Sequence, residues 1–442
     1  MGKSPFVKVM EAEMIPALGC TEPVLYALGG AVARKHAPGE IKSIEIIGSG
    51  LVTIGVQSVG IPNTGGKTGG YLSTVLGVLA GDADLDMEVL NKVTPKDVED
   101  AEALIAKLQS EGSLKIDMVT PAPSIYLKTV LKTDKHTAIV SMWSEHNGVK
   151  YIEVDGEVIM GNKEEEENAF KAELEGHNVD SSFLSIESIY DFCDTADISE
   201  LTMAKEAIKL TKVICKDGLD NKFGLQTGRI IQENIDKGII ADDEIAHILK
   251  WTVAGLDARM GGSDVPAMSN TGSGNQGMVC SMPPIACGDF LKKDEEAVLR
   301  AVAFSNLVNI YLDYKSNEYA HLSPMCYCAG VAPAAGVSGV AYLHGHNKEQ
   351  ISDMVRTTLG NFAGAICDGA KPSCAYRAHT GIYGALMAML MAEKGIASTD
   401  VEGIVNKTVE GTIDNIYKLQ KNCMSDTDEF VCDVKKRQGT LC

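Results

Sequence analysis

The chain changes its hydrophobic period twice. An apolar run from Val24 to Leu28 continues at helical spacing to about His36 and stops at Pro38-Gly39, which predicts a helix. Thr21 is its expected N-cap, and Pro23 falls in the first turn, where a missing N–H costs nothing. From Ile41 the period shortens. Ile44 to Ile47, Leu51 to Val56, Ser124 to Leu131, Thr137 to Trp143 and Val149 to Val154 read as strands, interrupted by helices near 71–79 and 95–111. Beyond the acidic run Glu164 to Glu167, a solvated helix start, strands nearly vanish. Helical periodicity then covers 199–216, 227–237, 243–258, 294–314, 348–360 and 380–394. The uncharged stretch from Ser323 to Leu343 is long enough to span a bilayer, but its Gly, Ala and Pro content predicts a tightly packed buried helix instead.

These periods predict an α+β fold: a mainly helical catalytic domain with an inserted α/β domain. Residues 1–38 are expected to pack as an N-terminal helix on the helical domain, 39–196 to form the α/β domain, and 197–442 the helical domain. At 442 residues the chain buries an ample core without metal or disulfide staples. A net charge of −20 disfavours nucleic acid and anionic membranes, both polyanions. The first residues reach Glu11 and Glu13 without an apolar signal core, so a cytoplasmic protein is expected. Oligomeric state is left open, a homo-oligomer included.

Twelve cysteines in a reducing compartment point to thiol or metal chemistry in a subset. Cys193, Cys215, Cys423, Cys432 and Cys442 read mostly as small hydrophobes. Cys326, Cys367 and Cys374 stand out, because they lie among small, weakly charged residues and the last two flank a turn expected at Gly369 and Pro372. Three thiolates leave a cubane iron–sulfur cluster one ligand short, and an iron without a protein ligand is free to bind substrate. Zinc is the competing metal, although the spacings suit its paired ligands poorly. His344 and His346 are separated by i, i+2 and have no acidic partner nearby in sequence, so a zinc hydrolase is not expected. His321 and His379 are placed to donate towards the cysteines.

Two polar loops suit a small zwitterion. Gly60 to Gly70 lacks the spacing of a phosphate loop, but Thr64 and Gly65 could offer donors to a carboxylate. Met268 to Gly277 concentrates Ser273, Asn275 and Gln276 before a helix start, either as caps or as a donor-rich pocket wall. Asp368, Lys371 and Arg377 are further candidates, held close to the cysteines by chain connectivity.

Several strings together resemble one family: Gly19-Cys20-Thr21-Glu22-Pro23, Gly60 to Gly65, Ala258-Arg259-Met260-Gly261-Gly262, Ser269 to Gly277, Leu322 to Ala329, and Ile366 to Ala375. They are similar to the oxygen-sensitive L-cysteine desulfidases, whose catalytic half resembles the α-chain of iron–sulfur L-serine dehydratases. The resemblance implies a [4Fe-4S] cluster on Cys326, Cys367 and Cys374, with Cys20 as a separate functional cysteine. It implies α,β-elimination of L-cysteine to pyruvate, ammonia and sulfide. Cys20, expected at a helix N-terminus that lowers thiol pKa, is the candidate base. The family loop usually has Gly where Asn63 stands, which bears on substrate preference. L-Serine dehydration on the same scaffold and a non-catalytic redox or metal sensor are the alternatives.

Overall fold

A computed structural model describes residues 3–18, 21–119, 122–123, 125–175, 180–317, 325–424 and 426–438. The fold is α+β, and the chain divides into two compact units. The helical unit comprises Met1–Ala17, Asn178–Cys367 and Pro372–Ser425; the sheet unit comprises Leu18–His177, Asp368–Lys371 and Asp426–Cys442. Among the described residues no helix is long and apolar enough to cross a membrane.

The sheet unit is built on a six-stranded sheet in the order Leu114–Val119, Ile41–Ser49, Tyr126–Thr133, Thr137–Trp143, Val149–Val154 and Glu157–Met160. The first pair is parallel and the others antiparallel. Alternation along the strands produces two apolar faces. Ile44, Ile46, Leu127, Leu131, Val140 and Met142 bury one face in the same core as Val24, Leu25 and Leu28 of helix Thr21–His36. Tyr126, Trp143 and Tyr151 bury the other against Ala169 and Phe170 of helix Lys163–Glu175.

Three expectations meet a different arrangement here. Helix Thr21–His36 has the ends its pattern predicts, but it belongs with the sheet rather than with the helical unit, because its apolar side chains complete the sheet's core. Leu51 to Val56, expected as a strand, lies largely in helix Gly50–Gly55. A short run buried on nearly every side has no exposed face from which to read a period. The boundary expected at 196 also falls earlier, near 177, and two later segments return to the sheet unit.

In the helical unit, helices Glu244–Met260, Gly274–Leu291, Glu295–Asn317, Val331–Leu343 and Cys374–Glu393 supply much of one continuous apolar core. Gly274–Leu291 is buried from Gly274 to Gly288 and contains Pro283 and Pro284. Buried polar side chains around Ser281 of this helix pair with one another: Asn306 Nδ2 donates to Ser281 Oγ at 3.1 Å, and Asn270 Nδ2 donates to Asn306 Oδ1 at 2.9 Å. Buried amides paired in this way avoid the desolvation penalty that an orphaned amide would carry.

Candidate active site

The helical unit brings the three expected cysteines together. Cys326 lies in a tight turn whose entry is pinned to the segment before Cys367: Cys326 N donates to the Ala365 carbonyl at 2.7 Å, and Met325 bridges to Ile366. Ala329 N then closes the turn onto the Cys326 carbonyl at 3.0 Å. Cys374 is the first residue of helix Cys374–Glu393. None of the three is in a disulfide; Cys326 and Cys374 are buried and Cys367 is half-buried. The Cys326 thiol is held below its ordinary pKa, first by a hydrogen bond from Cys367 and to a lesser degree by the Arg377 charge, against the opposing effect of burial. Cys328 joins the group electrostatically, but burial raises its thiol well above the usual range.

This donor set fits an iron–sulfur cluster better than a single ion. Among the described residues, the one group of three ligand atoms within 4.8 Å of one another is Glu244, Cys287 and His344, so the three cysteines do not converge on one metal. A tetrahedral ion needs all its ligands close together, whereas a cubane takes each cysteine on a different iron, for which the hydrogen-bonded Cys326–Cys367 pair would open. The N-terminus of the helix begun by Cys374 and the Arg377 guanidinium both favour the negative charge that such a group carries.

Arg259, which belongs to one of the strings that carry the family resemblance but to which the sequence assigns no role, supplies a further polar feature. It lies near the end of helix Glu244–Met260, is only 4% exposed, and its charge acts on the Cys328 thiol. Its Nη1 donates to Asn275 Oδ1 at 3.1 Å, while its Nε has no partner and no carboxylate pairs with it among the described residues. The guanidinium passes where a Cβ on residue 274 would stand 2.4 Å from Nε, so Gly274 is required there. Gln276 is also buried, and its Oε1 lacks a partner. Ser273 fills the capping role: its Oγ accepts the Gln276 N–H at 3.3 Å. A buried cation without an anion, beside an unsatisfied amide, is costly unless a ligand completes it.

The candidates of the sheet unit are already partnered. Thr64 is buried and donates its hydroxyl to the Ile61 carbonyl at 2.7 Å. Asn63 and Gly65 adopt positive φ, and Asn63 Nδ2 anchors the loop on the Leu90 carbonyl at 3.0 Å. Lys371 pairs with Asp368 and donates to the Gly369 carbonyl at 3.0 Å. Gly369 has φ of 96°, and a Cβ there would lie 2.7 Å from the Ile54 carbonyl oxygen, so the expected turn depends on glycine.

Cys20 and His321 lie outside the described residues; helix Thr21–His36 begins immediately after Cys20 in the sequence. The His379 ring stacks on Tyr376 at 6.1 Å, and burial lowers its pKa. Asp313 emerges only from the fold: burial first, and then the Glu13 charge, push its carboxyl up to about 7. The sequence shows its place within a long helical pattern, without any sign of the acidic neighbour from the N-terminus.

The family profile described as serine dehydratase alpha chain matches residues 84–433. A UPF0597 protein from Lachnoclostridium phytofermentans is 34% identical over 433 residues, covering 97% of this chain and 98% of its own. One from Photobacterium profundum is 34% identical over 429 residues, covering 97% of each chain. Another, from Oleidesulfovibrio alaskensis, is 33% identical over 432 residues, covering 98% of this chain and 97% of its own.

Proposed function

Because the chain belongs to the serine dehydratase alpha-chain family, together with the UPF0597 proteins, we propose that it is a lyase acting on a small β-substituted amino acid, specifically a [4Fe-4S]-dependent L-cysteine desulfidase. The observation that carries this reading is the gathering of three cysteines outside any disulfide, Cys326, Cys367 and Cys374, in the same unit as a buried guanidinium that has no carboxylate partner among the described residues. A cluster on those thiols would supply Lewis-acid polarisation of the substrate through an iron lacking a protein ligand.

The chain's own groups have separate tasks in this proposal. Arg259 and Asn275 bind the substrate carboxylate, and Arg259 is suited to it because a guanidinium grips a carboxylate through two parallel hydrogen bonds. Gln276 Oε1 accepts from the substrate ammonium, and Ser273 holds that first helical turn in position. Cys20, which directly precedes helix Thr21–His36 in the sequence, removes the Cα proton. Thr64 and Gly65 shape a donor loop, while Asp368 and Lys371 hold the turn between Cys367 and Cys374. The released aminoacrylate hydrolyses in water to pyruvate and ammonia. L-Serine dehydration is the second reading, favoured by the description of the matching family.

Assay of anaerobically purified protein with each amino acid separates the readings. L-Cysteine should yield sulfide and pyruvate in equal amounts. Pyruvate from L-serine alone would establish the second reading, and no product from either would refute both. Cys367→Ser should remove iron and abolish turnover, whereas Cys20→Ala should abolish turnover with iron content intact. Full iron retention in Cys367→Ser would overturn the ligand assignment.

A further inference from the structure

Apart from the cysteine group just described, the helical unit assembles a second set of metal-ligand side chains. Glu244 opens helix Glu244–Met260, Cys287 lies in helix Gly274–Leu291, and His344 directly follows helix Val331–Leu343. Their ligand atoms lie within 4.8 Å of one another. Glu244 Oε1 stands 2.7 Å from His344 Nε2 and accepts the Cys287 thiol at 3.2 Å. The sequence offers His344 and His346 no acidic partner close by in the chain. The fold supplies that partner from Glu244, on a different helix.

An independent observation points into the same place. A cavity of about 200 Å³ is lined by Glu244, His344, His346, Glu393, Leu386 and Met389. His346 is 8% exposed, and its Nε2 has no partner. Its Nδ1 lies 3.2 Å from the Ala341 carbonyl, which can only accept, so the proton sits on Nδ1 and Nε2 carries a lone pair. A backbone carbonyl fixing one ring nitrogen so that the other can ligate is the usual support of a metal-bound histidine. An ion pair between His344 and Glu244 would require neither the thiol nor this second imidazole.

We propose that Glu244, Cys287 and His344 form a binding site for a zinc-class divalent cation, with His346, which is outside that close group and whose ring centre is 6.4 Å from that of His344, turning in to serve its fourth position. One carboxylate, one thiolate and imidazole nitrogens are a borderline-soft set that suits Zn²⁺ rather than Mg²⁺ or Ca²⁺. Tetrahedral bonds of the usual lengths set ligand atoms roughly 3.3 to 3.8 Å apart, so the present 2.7 and 3.2 Å contacts open by about half an ångström on binding. The metal displaces the thiol proton to solvent, and no electron transfer is involved. It joins three helices of one core and thereby stabilises the folded state.

The test uses tag-free, full-length protein with its native iron content, equilibrated anaerobically with Zn²⁺. Elemental analysis should find one zinc per chain beyond the iron, and zinc-edge X-ray absorption should show one sulfur among nitrogen and oxygen neighbours. His344→Ala should weaken zinc binding at least about 100-fold, with iron content unchanged. Cys287→Ser should lose the sulfur neighbour. Zinc should raise Tm in the parent protein and not in His344→Ala. Absence of zinc uptake, an all-sulfur shell, or binding indifferent to both substitutions would each overturn the site. Because His344 is partly exposed, its removal tests binding without emptying the core.

Discussion

The two units bury ionisable groups in opposite ways. In the sheet unit, the carboxyls of Glu40, Asp82, Asp97, Glu153 and Asp155 all lie below their ordinary pKa, mainly through hydrogen bonds at or near the surface. In the helical unit, burial raises Asp257 to about 6 and Asp313 to about 7, and Arg259 is buried with no anion beside it among the described residues. The sheet unit is thus organised so that its charges stabilise the fold. The helical unit has lowered carboxyls of the same kind at Asp180, Asp197 and Glu393, but its buried Asp257, Asp313 and Arg259 work against folding, which is expected where a protein reserves polar capacity for a ligand. Substrate-binding residues should accordingly be sought first among polar groups whose partners are missing.

The largest effect that would break this comparison is at Arg259. Replacing a buried charge that pairs with a substrate carboxylate typically costs several kcal/mol, so Arg259→Ala should lower kcat/KM by two to three orders of magnitude, roughly 3–4 kcal/mol. Most of the loss should appear in KM, and Arg259→Lys should recover part of it without restoring the bidentate grip. Iron content provides the control. If Arg259 serves only the fold, Arg259→Ala will lower Tm while leaving the KM of the remaining folded protein unchanged.

The next effect is a pH dependence of opposite sign in the two units. Asp257 has a folded pKa near 6 against an unfolded value of 3.8. Its stabilising contribution is therefore complete below the unfolded value and is lost as pH rises through about 6. The loss is at most about 2 to 3 kcal/mol, because a tenfold change in proton affinity between the folded and unfolded chain is worth about 1.4 kcal/mol. Asp257→Asn, which keeps one oxygen to accept from Gly228 N and turns an amide N–H towards the Thr227 hydroxyl, which can rotate to accept it, should flatten the stability profile over that window. The lowered carboxyls of the sheet unit act in reverse, losing their contribution as pH falls below the ordinary carboxylate range. Hydrogen exchange followed peptide by peptide from pH 4 to 8 would read both slopes in one sample. A parallel slope in both units would contradict the distinction.

How far the sequence alone reaches follows from the same physics. Helix Thr21–His36 and strands Thr137–Trp143 and Val149–Val154 match their patterns because each is bounded by turn residues and keeps a regular period. Only the start of helix Gly274–Leu291 is legible, from the polar loop before it, because burial on nearly every side and two internal prolines hide the rest. Cys326, Cys367 and Cys374 are legible from their surroundings of small residues. The significance of Arg259 is not, because it rests on a missing partner, which only three-dimensional contacts reveal. Glu244 is hidden for a related reason: its histidine partner is a hundred residues away in the chain.

The smallest effect gives the finest test of the comparison. Thr64 is a polar residue in a glycine-rich loop, and from sequence alone it reads equally well as a substrate donor. Its hydroxyl hydrogen, however, is committed to the Ile61 carbonyl at 2.7 Å. A side chain that donates internally contributes to loop geometry, and breaking one such bond in a buried setting costs about 1 kcal/mol. Thr64→Val, which keeps the shape and removes the donor, should therefore lower stability by that amount and shift KM by less than about threefold. Thr64→Ser keeps the donor and should leave KM unaltered. A tenfold rise in KM for Thr64→Val with no change in Tm would mean that the hydroxyl leaves Ile61 to bind substrate. The sheet unit would then hold reserved polar capacity as well, and the contrast between the two units would be lost.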